Sequence, residues 1–122
     1  MHVVLPGATI ADAVAGGYAL NLPLRVVAGG SSAAQPLVTT DGEGVAIEAV
    51  KLADDRSGDV IVRCYESLGG RADAVLRPGF AVSDAELVDL LEDPIRDLAP
   101  AGDGFAVRVR PFEIVTVRFR VR

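Results

Sequence analysis

Carboxylates are the residues of this sequence whose types and spacing could do chemistry. Asp54 and Asp55 are adjacent, Glu92 and Asp93 are adjacent, and Glu66 stands between the two pairs. Two carboxyl groups held close together can divide the roles of general acid and of general base or nucleophile between them. The number of carboxylates therefore permits such a pair. Whether these carboxylates are catalytic or structural depends on the residues around them.

The surroundings of both acidic pairs favour structural roles. Asp54 and Asp55 open the segment DDRSGD (54–59), and Asp is favoured in turns because its side chain bonds to nearby backbone N–H groups. The other pair comes directly before Pro94, as expected for a turn or the end of a strand. We predict no catalytic residue in this chain.

Other charged and polar side chains stand among apolar neighbours, as Glu66 does in DVIVRCYES (59–67). A buried carboxylate needs a partner, or its pKa shifts sharply. We therefore predict a structural network of ion pairs and hydrogen bonds. Its candidate members are Lys51, Arg63, Tyr65, Glu66, Glu92 and Glu113.

Ligands for a metal are scarce. The sequence has one histidine, His2, and one cysteine, Cys64, whereas zinc sites usually take three or four ligands from Cys, His and carboxylates. We assign no metal-binding or cofactor-binding residue here. A single cysteine also excludes an intrachain disulfide and favours a reducing compartment, so we expect a cytoplasmic protein.

The length and the apolar pattern indicate one soluble domain. The chain has 122 residues, and no apolar run approaches the roughly 20 residues that cross a bilayer. Residues 1–5 are too short for a signal peptide and lack a positive start. We expect no membrane association.

Arginines alternate with apolar residues near the end of the sequence, at 108–110 and 117–122. Such a pattern could bind nucleic acid, but the net charge is −5 and polyanion binders usually carry a basic surplus. Alternation with period two is typical of a strand with one solvated face. Residues 83–103 hold seven acids, so we expect the arginines to face carboxylates across strands, and we expect no nucleic acid partner.

Short apolar runs separated by turn residues predict a mainly β fold. Thr9 as N-cap and Asp12 predict a short helix or helical turn over 9–21, and residues 29–44 read as loop. Gly-rich LGGR (68–71) predicts a hairpin turn. The predicted strands are 45–53, 59–67, 72–77, 104–110 and 112–121.

The spacing of these strands predicts an antiparallel β-sandwich with one short N-terminal helix or helical turn. We predict a single domain over 1–122, with 1–44 as a lead-in and 45–122 as the strand-rich core. Residues 83–98 conflict with this pattern, because Ser83 and Glu86 form a potential capping box before a leucine-rich face.

The order of several short motifs resembles the C-terminal β-sandwich region of family 38 glycoside hydrolases, the retaining α-mannosidases. The resemblance covers about 100 residues. In that family the stretch corresponding to 87–93 is a strand, so we predict a strand there against the helical signal. The motifs are Asn21-x-Pro23, Lys51 before an acidic turn, Arg63-x-Tyr65-Glu66, Leu91-Glu92 and Pro111-Phe112-Glu113-Ile114.

The resemblance implies a larger enzyme whose catalytic residues lie elsewhere. The family uses an aspartate nucleophile, a second carboxylic acid and a zinc that aspartate and histidine hold in the N-terminal catalytic domain. The implied partner is the catalytic domain of the same parent polypeptide, with a possible homo-oligomer of the parent. No residue of this chain matches the family's catalytic motifs.

Three functional hypotheses follow. The first is a non-catalytic accessory domain, supported by a mean hydropathy of +0.35, which suggests an apolar face against another domain unless Ala and Gly inflate the value. The second is an autonomous carbohydrate-binding module, which the absence of tryptophan disfavours. The third is an interaction sandwich unrelated to sugars, whose exposed strand edge pairs with a partner.

Overall fold

The computed structural model describes residues 7–22, 25–26, 28–30 and 35–122. The chain divides into two compact units, residues 1–34 and residues 35–122. His2, Pro23 and the segment 1–5 lie outside the described residues.

The first unit contains the predicted helix, α1 (Ile10–Asn21). Thr9 is its N-cap. The Thr9 amide donates to Asp12 Oδ2 at 2.7 Å, and the Asp12 amide donates to Thr9 Oγ1 at 3.3 Å. This reciprocal capping box satisfies two N–H groups that a helix start leaves unpaired. The helix prediction is confirmed, and α1 continues through Gly16 and Gly17.

The second unit is built from two antiparallel sheets. The four-stranded sheet has the spatial order β1 (Val38–Thr40), β4 (Ala72–Pro78), β8 (Gly104–Val109), β7 (Pro100–Ala101). The five-stranded sheet has the order β2 (Val45–Leu52), β3 (Val60–Glu66), β9 (Ile114–Val121), β5 (Val82–Val88), β6 (Pro94–Asp97). The predicted mainly β sandwich is confirmed.

The core lies between the sheets and comes from every second residue of the central strands. Val62 of β3 faces Val117 of β9 in register, and Leu76 and Val109 of the other sheet are fully buried in the same cluster. Phe119 is also fully buried. Its ring packs against Phe80 at a centroid distance of 6.2 Å and against Phe105 at 5.9 Å.

Two connections differ from the sequence prediction. The segment 68–71 is not a hairpin turn, because it joins β3 to β4 in the other sheet. The Glu66 carboxylate accepts the amides of Leu68 and Gly69, each at 2.8 Å, and so turns the chain away from β3. The predicted loop 29–44 contains β1, whose three residues are too few to show a periodicity.

The strand prediction for 87–93 is confirmed only through Val88. Residues 89–93 form a turn in which Asp89 Oδ1 accepts the amides of Leu91 at 2.8 Å and Asp93 at 3.0 Å. The helix suggested by Ser83 does not form. Its hydroxyl instead donates to the carbonyl of Arg120 on β9 at 3.4 Å. The pairing with β9 overrides the local helical pattern.

Candidate functional site

A buried arginine lies on the outer face of the five-stranded sheet. Arg118 Nε donates to Asp59 Oδ2 at 2.8 Å, and its Nη2 donates to Ser57 Oγ at 3.0 Å and to Asp55 Oδ2 at 2.5 Å. All three partners belong to the 53–59 connection between β2 and β3. This connection therefore lies against the outer face of the sheet and covers the guanidinium.

Arg120 extends this arrangement toward β5. Its Nη1 lies 3.0 Å from Asp59 Oδ2, and its Nη2 lies 3.0 Å from Glu86 Oε2. Burial raises the pKa of Asp59, but hydrogen bonds from Arg118, the Val121 amide and Arg120 outweigh burial, so the pKa of Asp59 lies below its ordinary 3.8. We call this set the Arg118 cluster: Asp55, Ser57, Asp59, Glu86, Arg118 and Arg120.

The alternating arginines thus differ from one another. Arg108 fits the expected solvated face: it is exposed and its Nε lies 2.7 Å from Asp73 Oδ1 across β4 and β8. Arg118 does not fit, because it is 6% exposed. Alternation places both arginines on outer faces, but it cannot reveal that the 53–59 connection closes over one of them.

A second ion pair joins β2 to the turn after β5. Lys51 Nζ contacts Glu92 Oε1 and also lies 2.7 Å from Asp54 Oδ1, while the Asp54 amide donates to Glu92 Oε2 at 2.8 Å. The pKa of Lys51 is raised, first by Asp54 and then by Glu92. Glu92 is buried in a left-handed conformation with φ of 72°. These contacts hold the two connections together.

Glu66 is buried and is satisfied by backbone amides. It accepts from Leu68 and Gly69, each at 2.8 Å, and from Phe112 at 3.1 Å. Burial raises the pKa of Glu66, but these amides and that of Gly70 outweigh burial, so its pKa is lowered. The carboxylate therefore ties the turn after β3 to the turn before β9.

Glu113 stabilises the turn before β9 by contacting Arg110 in the same turn. Its Oε1 lies 2.6 Å from Arg110 Nη2, and its Oε2 accepts the Arg110 amide at 2.7 Å. The Arg110 side chain lowers the pKa of Glu113 most, followed by the amide. Between these two residues Phe112 is exposed and has a left-handed φ of 56°.

The exposed phenyl ring borders a concave feature of about 370 Å³. Arg63 and Tyr65 of β3 contribute to it, and Arg63 Nε donates to Thr116 Oγ1 of β9 at 3.4 Å. We call this feature the Phe112 notch, lined by Glu48, Arg63, Tyr65, Glu66, Phe112 and Ile114.

The six predicted network residues therefore occupy three places. Lys51 contacts Glu92, three others line the Phe112 notch, and Glu113 supports the turn that carries Phe112. The sequence predicted that the terminal arginines face carboxylates of 83–103, and Arg120 does contact Glu86. Sequence reasoning missed the contacts of Arg118, because Asp59 was treated only as part of the 54–59 turn and as the start of the predicted strand 59–67. The period-two arginines were a signal for these contacts, but the burial of Arg118 depends on long-range packing.

The pKa shifts of Asp59, Glu66 and Glu113 suit structural rather than acid–base roles. General acids and bases work best with a pKa near the operating pH, and a catalytic carboxylic acid needs a raised pKa. The pKa values of Asp59, Glu66 and Glu113 are instead lowered, so these side chains remain ionised and hold their partners.

Other reactive groups give no site in the described part of the chain. No group of three or more His, Cys, Asp or Glu side chains among those residues could hold a metal ion. Burial raises the pKa of the Cys64 thiol to about 11, and a thiol is a poor nucleophile without its thiolate. In the portion that the structure describes, no helix has the length and apolar character to span a bilayer.

Comparison with known proteins gives one family. Residues 44–117 match the family model of the glycosyl hydrolases family 38 C-terminal beta sandwich domain. The match begins one residue before β2 and ends within β9, so it contains strands of both sheets and the two polar connections described above, and it leaves out β1. A search of curated proteins gives no match. The two-sheet architecture and this match over more than half of the sequence show that the chain belongs to the family 38 C-terminal β-sandwich domains.

Proposed function

We propose that this chain is a non-catalytic accessory domain of a retaining α-mannosidase and that it packs on the catalytic domain of the same parent polypeptide. The observation that carries the proposal is the family match over residues 44–117. A C-terminal domain of a glycoside hydrolase family implies a parent with a catalytic domain. The substrate of that parent is α-linked mannose in glycans or oligosaccharides.

The carboxylates of this chain support a structural role. The Arg118 cluster, the Lys51–Glu92 pair and the Glu66 amide contacts each use their carboxylates to hold connections in place. A retaining pair needs one carboxyl group that stays protonated, whereas Asp59 and Glu66 have lowered pKa values. Because these two carboxylates and Glu92 have structural partners, and because the family match is to a C-terminal domain, we assign hydrolysis to the catalytic domain.

Zinc belongs to the same proposal. The described residues offer no group of three metal-ligating side chains, so we place the zinc in the parent's catalytic domain. When bound there, the ion would polarise and orient the sugar. This chain would contribute stability and domain geometry.

The compartment and the assembly are further parts of the proposal. Cys64 is buried and has a raised pKa, which suits a thiol that remains reduced in the cytoplasm. The parent polypeptide could assemble as a homo-oligomer. We propose neither a nucleic acid partner nor a membrane partner, because the net charge is −5 and many arginines are paired with carboxylates.

The test compares this chain with the polypeptide that contains it in the cell. Both are purified and assayed with 4-nitrophenyl α-D-mannopyranoside, with zinc and with a chelator. We expect turnover by the containing polypeptide, loss of that turnover on chelation, and no turnover by the isolated chain.

Each part of the proposal can fail separately. Turnover by the isolated chain would overturn the non-catalytic role. A containing polypeptide without α-mannosidase activity would overturn the choice of substrate. A cellular polypeptide no longer than this chain would overturn packing on a catalytic domain in cis.

A further inference from the structure

The Phe112 notch combines an exposed aromatic ring with charged side chains of both signs. Phe112 is 71% exposed and Ile114 is 62% exposed. Arg63 and Glu48 line the same concavity, as does the aromatic ring of Tyr65. Its volume of about 370 Å³ lies at the small end of the range of ligand sites.

The position of Phe112 is fixed by its neighbours. Its amide donates to the buried Glu66 carboxylate at 3.1 Å, and the Glu113 amide donates to the carbonyl of Arg110 at 3.0 Å. The ring lies against Gly69, where an added Cβ would come within 2.9 Å of Phe112 Cζ. The ring is therefore presented by a turn that is already formed.

Phe112 has a backbone conformation that is unusual for an aromatic residue. A φ of 56° is unfavourable for a bulky residue and favourable for glycine. Strained residues persist where surrounding contacts enforce them, and they cluster at sites of function. Here the Glu66 contact enforces the conformation through the backbone, while the ring remains exposed to solvent.

The chemistry of the notch suits a pyranose ring. A pyranose has an apolar C–H face that can lie on an aromatic ring, and its hydroxyl groups bond to charged side chains at the edge. Phe112 and Tyr65 supply aromatic surface. Arg63 offers N–H donors and is oriented by its bond to Thr116 Oγ1, and Glu48 carries acceptor oxygens.

We propose that the Phe112 notch binds one pyranose unit of a glycan, with the sugar face against Phe112 and hydroxyl groups bonded to Arg63 and Glu48. The choice of a glycan relies on membership of a glycoside hydrolase family, and it does not require the parent to be an α-mannosidase. The notch is mostly apolar, and Arg63 and Glu48 at its edge give a sugar hydrogen-bond partners that purely apolar packing on a protein surface would not use.

The test is a titration of the ¹⁵N-labelled chain observed by NMR. The probes are methyl α-D-mannopyranoside, methyl α-D-glucopyranoside and α-1,2-mannobiose. We expect saturable shifts of the amides of Gly69, Phe112 and Ile114, with a roughly millimolar dissociation constant because one small ring is bound.

Variants at position 112 distinguish the contribution of the phenyl ring to binding from that of the turn conformation. Phe112→Gly keeps the amide bond to Glu66 and suits the left-handed φ, so the melting temperature should not fall. Its binding should weaken about tenfold or more, since the stacking surface is lost. Phe112→Tyr should retain binding. Leu91→Ala is the matched control, because Leu91 is 82% exposed and lies outside the notch.

The outcomes distinguish this proposal from the proposed function. Unchanged binding by Phe112→Gly, or no shift at the three amides with any probe, would overturn the notch. Protection of these amides from sugar in the containing polypeptide would show a docking surface and would also overturn it. Binding of glucoside but not mannoside would still support the notch, whereas a containing polypeptide without α-mannosidase activity would contradict the mannoside substrate alone.

Discussion

At the scale of single residues, burial separates side chains that have the same type and the same place in a strand pattern. Arg118 is buried and bonds to Asp55, Ser57 and Asp59, whereas Arg108 is exposed and pairs with Asp73. Removing one partner of a buried ion pair leaves an uncompensated charge. An exposed pair is screened by solvent.

We therefore predict that Arg118→Leu lowers the free energy of unfolding by about 1–3 kcal/mol, because the buried Asp59 loses one of its two arginine partners and keeps Arg120 and the Val121 amide. Arg108→Leu serves as the control and should change the stability little. Urea unfolding of the two variants and the parent chain measures the difference. Equal losses in both variants would contradict the structural role of the Arg118 cluster.

At the scale of secondary-structure elements, close approach of backbones constrains the four-stranded sheet. Gly104 opens β8 beside β4, where an added Cβ would lie 2.4 Å from the carbonyl oxygen of Leu76 and 2.8 Å from Val75 Cγ1. The carbonyl cannot move without disturbing strand pairing. Only glycine fits at this position.

Gly104→Ala should destabilise the chain by about 1–3 kcal/mol, as overpacking typically does. Gly70→Ala is the matched control, since an added Cβ at Gly70 meets nothing within 4 Å among the described residues. Thermal unfolding of both variants tests the prediction. A Gly104→Ala melting temperature equal to that of Gly70→Ala would contradict it.

Element prediction from sequence succeeded where local signals and tertiary pairing agree. The Thr9–Asp12 capping box and the apolar runs of β3 and β9 identify their elements directly. Strands of two to four residues, such as β1, β6 and β7, are too short to show a period. Sheet membership also stays hidden, because a glycine turn joins strands equally well within a sheet or between sheets.

The candidate site was predictable in its residue types but not in its grouping. Buried carboxylates among apolar neighbours indicate a network, and Glu66 and Glu92 do have partners. The partners of Glu66 are backbone amides, which carry no sequence signal. Phe112 stood in a recognised motif, but its exposure depends on a left-handed turn that Phe does not suggest.

At the scale of the whole molecule, the lowered carboxylate pKa values couple folding to pH. A group whose pKa is lower in the folded state binds more protons when unfolded, so stability rises with pH across that interval. The contribution is present above the unfolded value and is lost as the pH falls through the folded value. The unfolded values are 3.8 for Asp59 and 4.5 for Glu66.

We predict that the urea midpoint changes little from neutral pH to about pH 5 and falls steeply below about pH 4. Glu66→Gln should show a shallower fall, because it removes one of the coupled groups. The measurement is urea unfolding at constant ionic strength across this range. A midpoint that rises on acidification would contradict the direction of the pKa shifts.

The Glu66 contacts have a consequence for protein engineering. The Glu66 carboxylate holds two turns through hydrogen bonds from main-chain amides. These bonds do not depend on which side chain stands at position 112. Residues that tolerate a left-handed backbone, such as Asn or His, could be introduced there without redesigning the loop. Position 112 therefore offers a grafting point at which specificity could be varied while position 66 is kept.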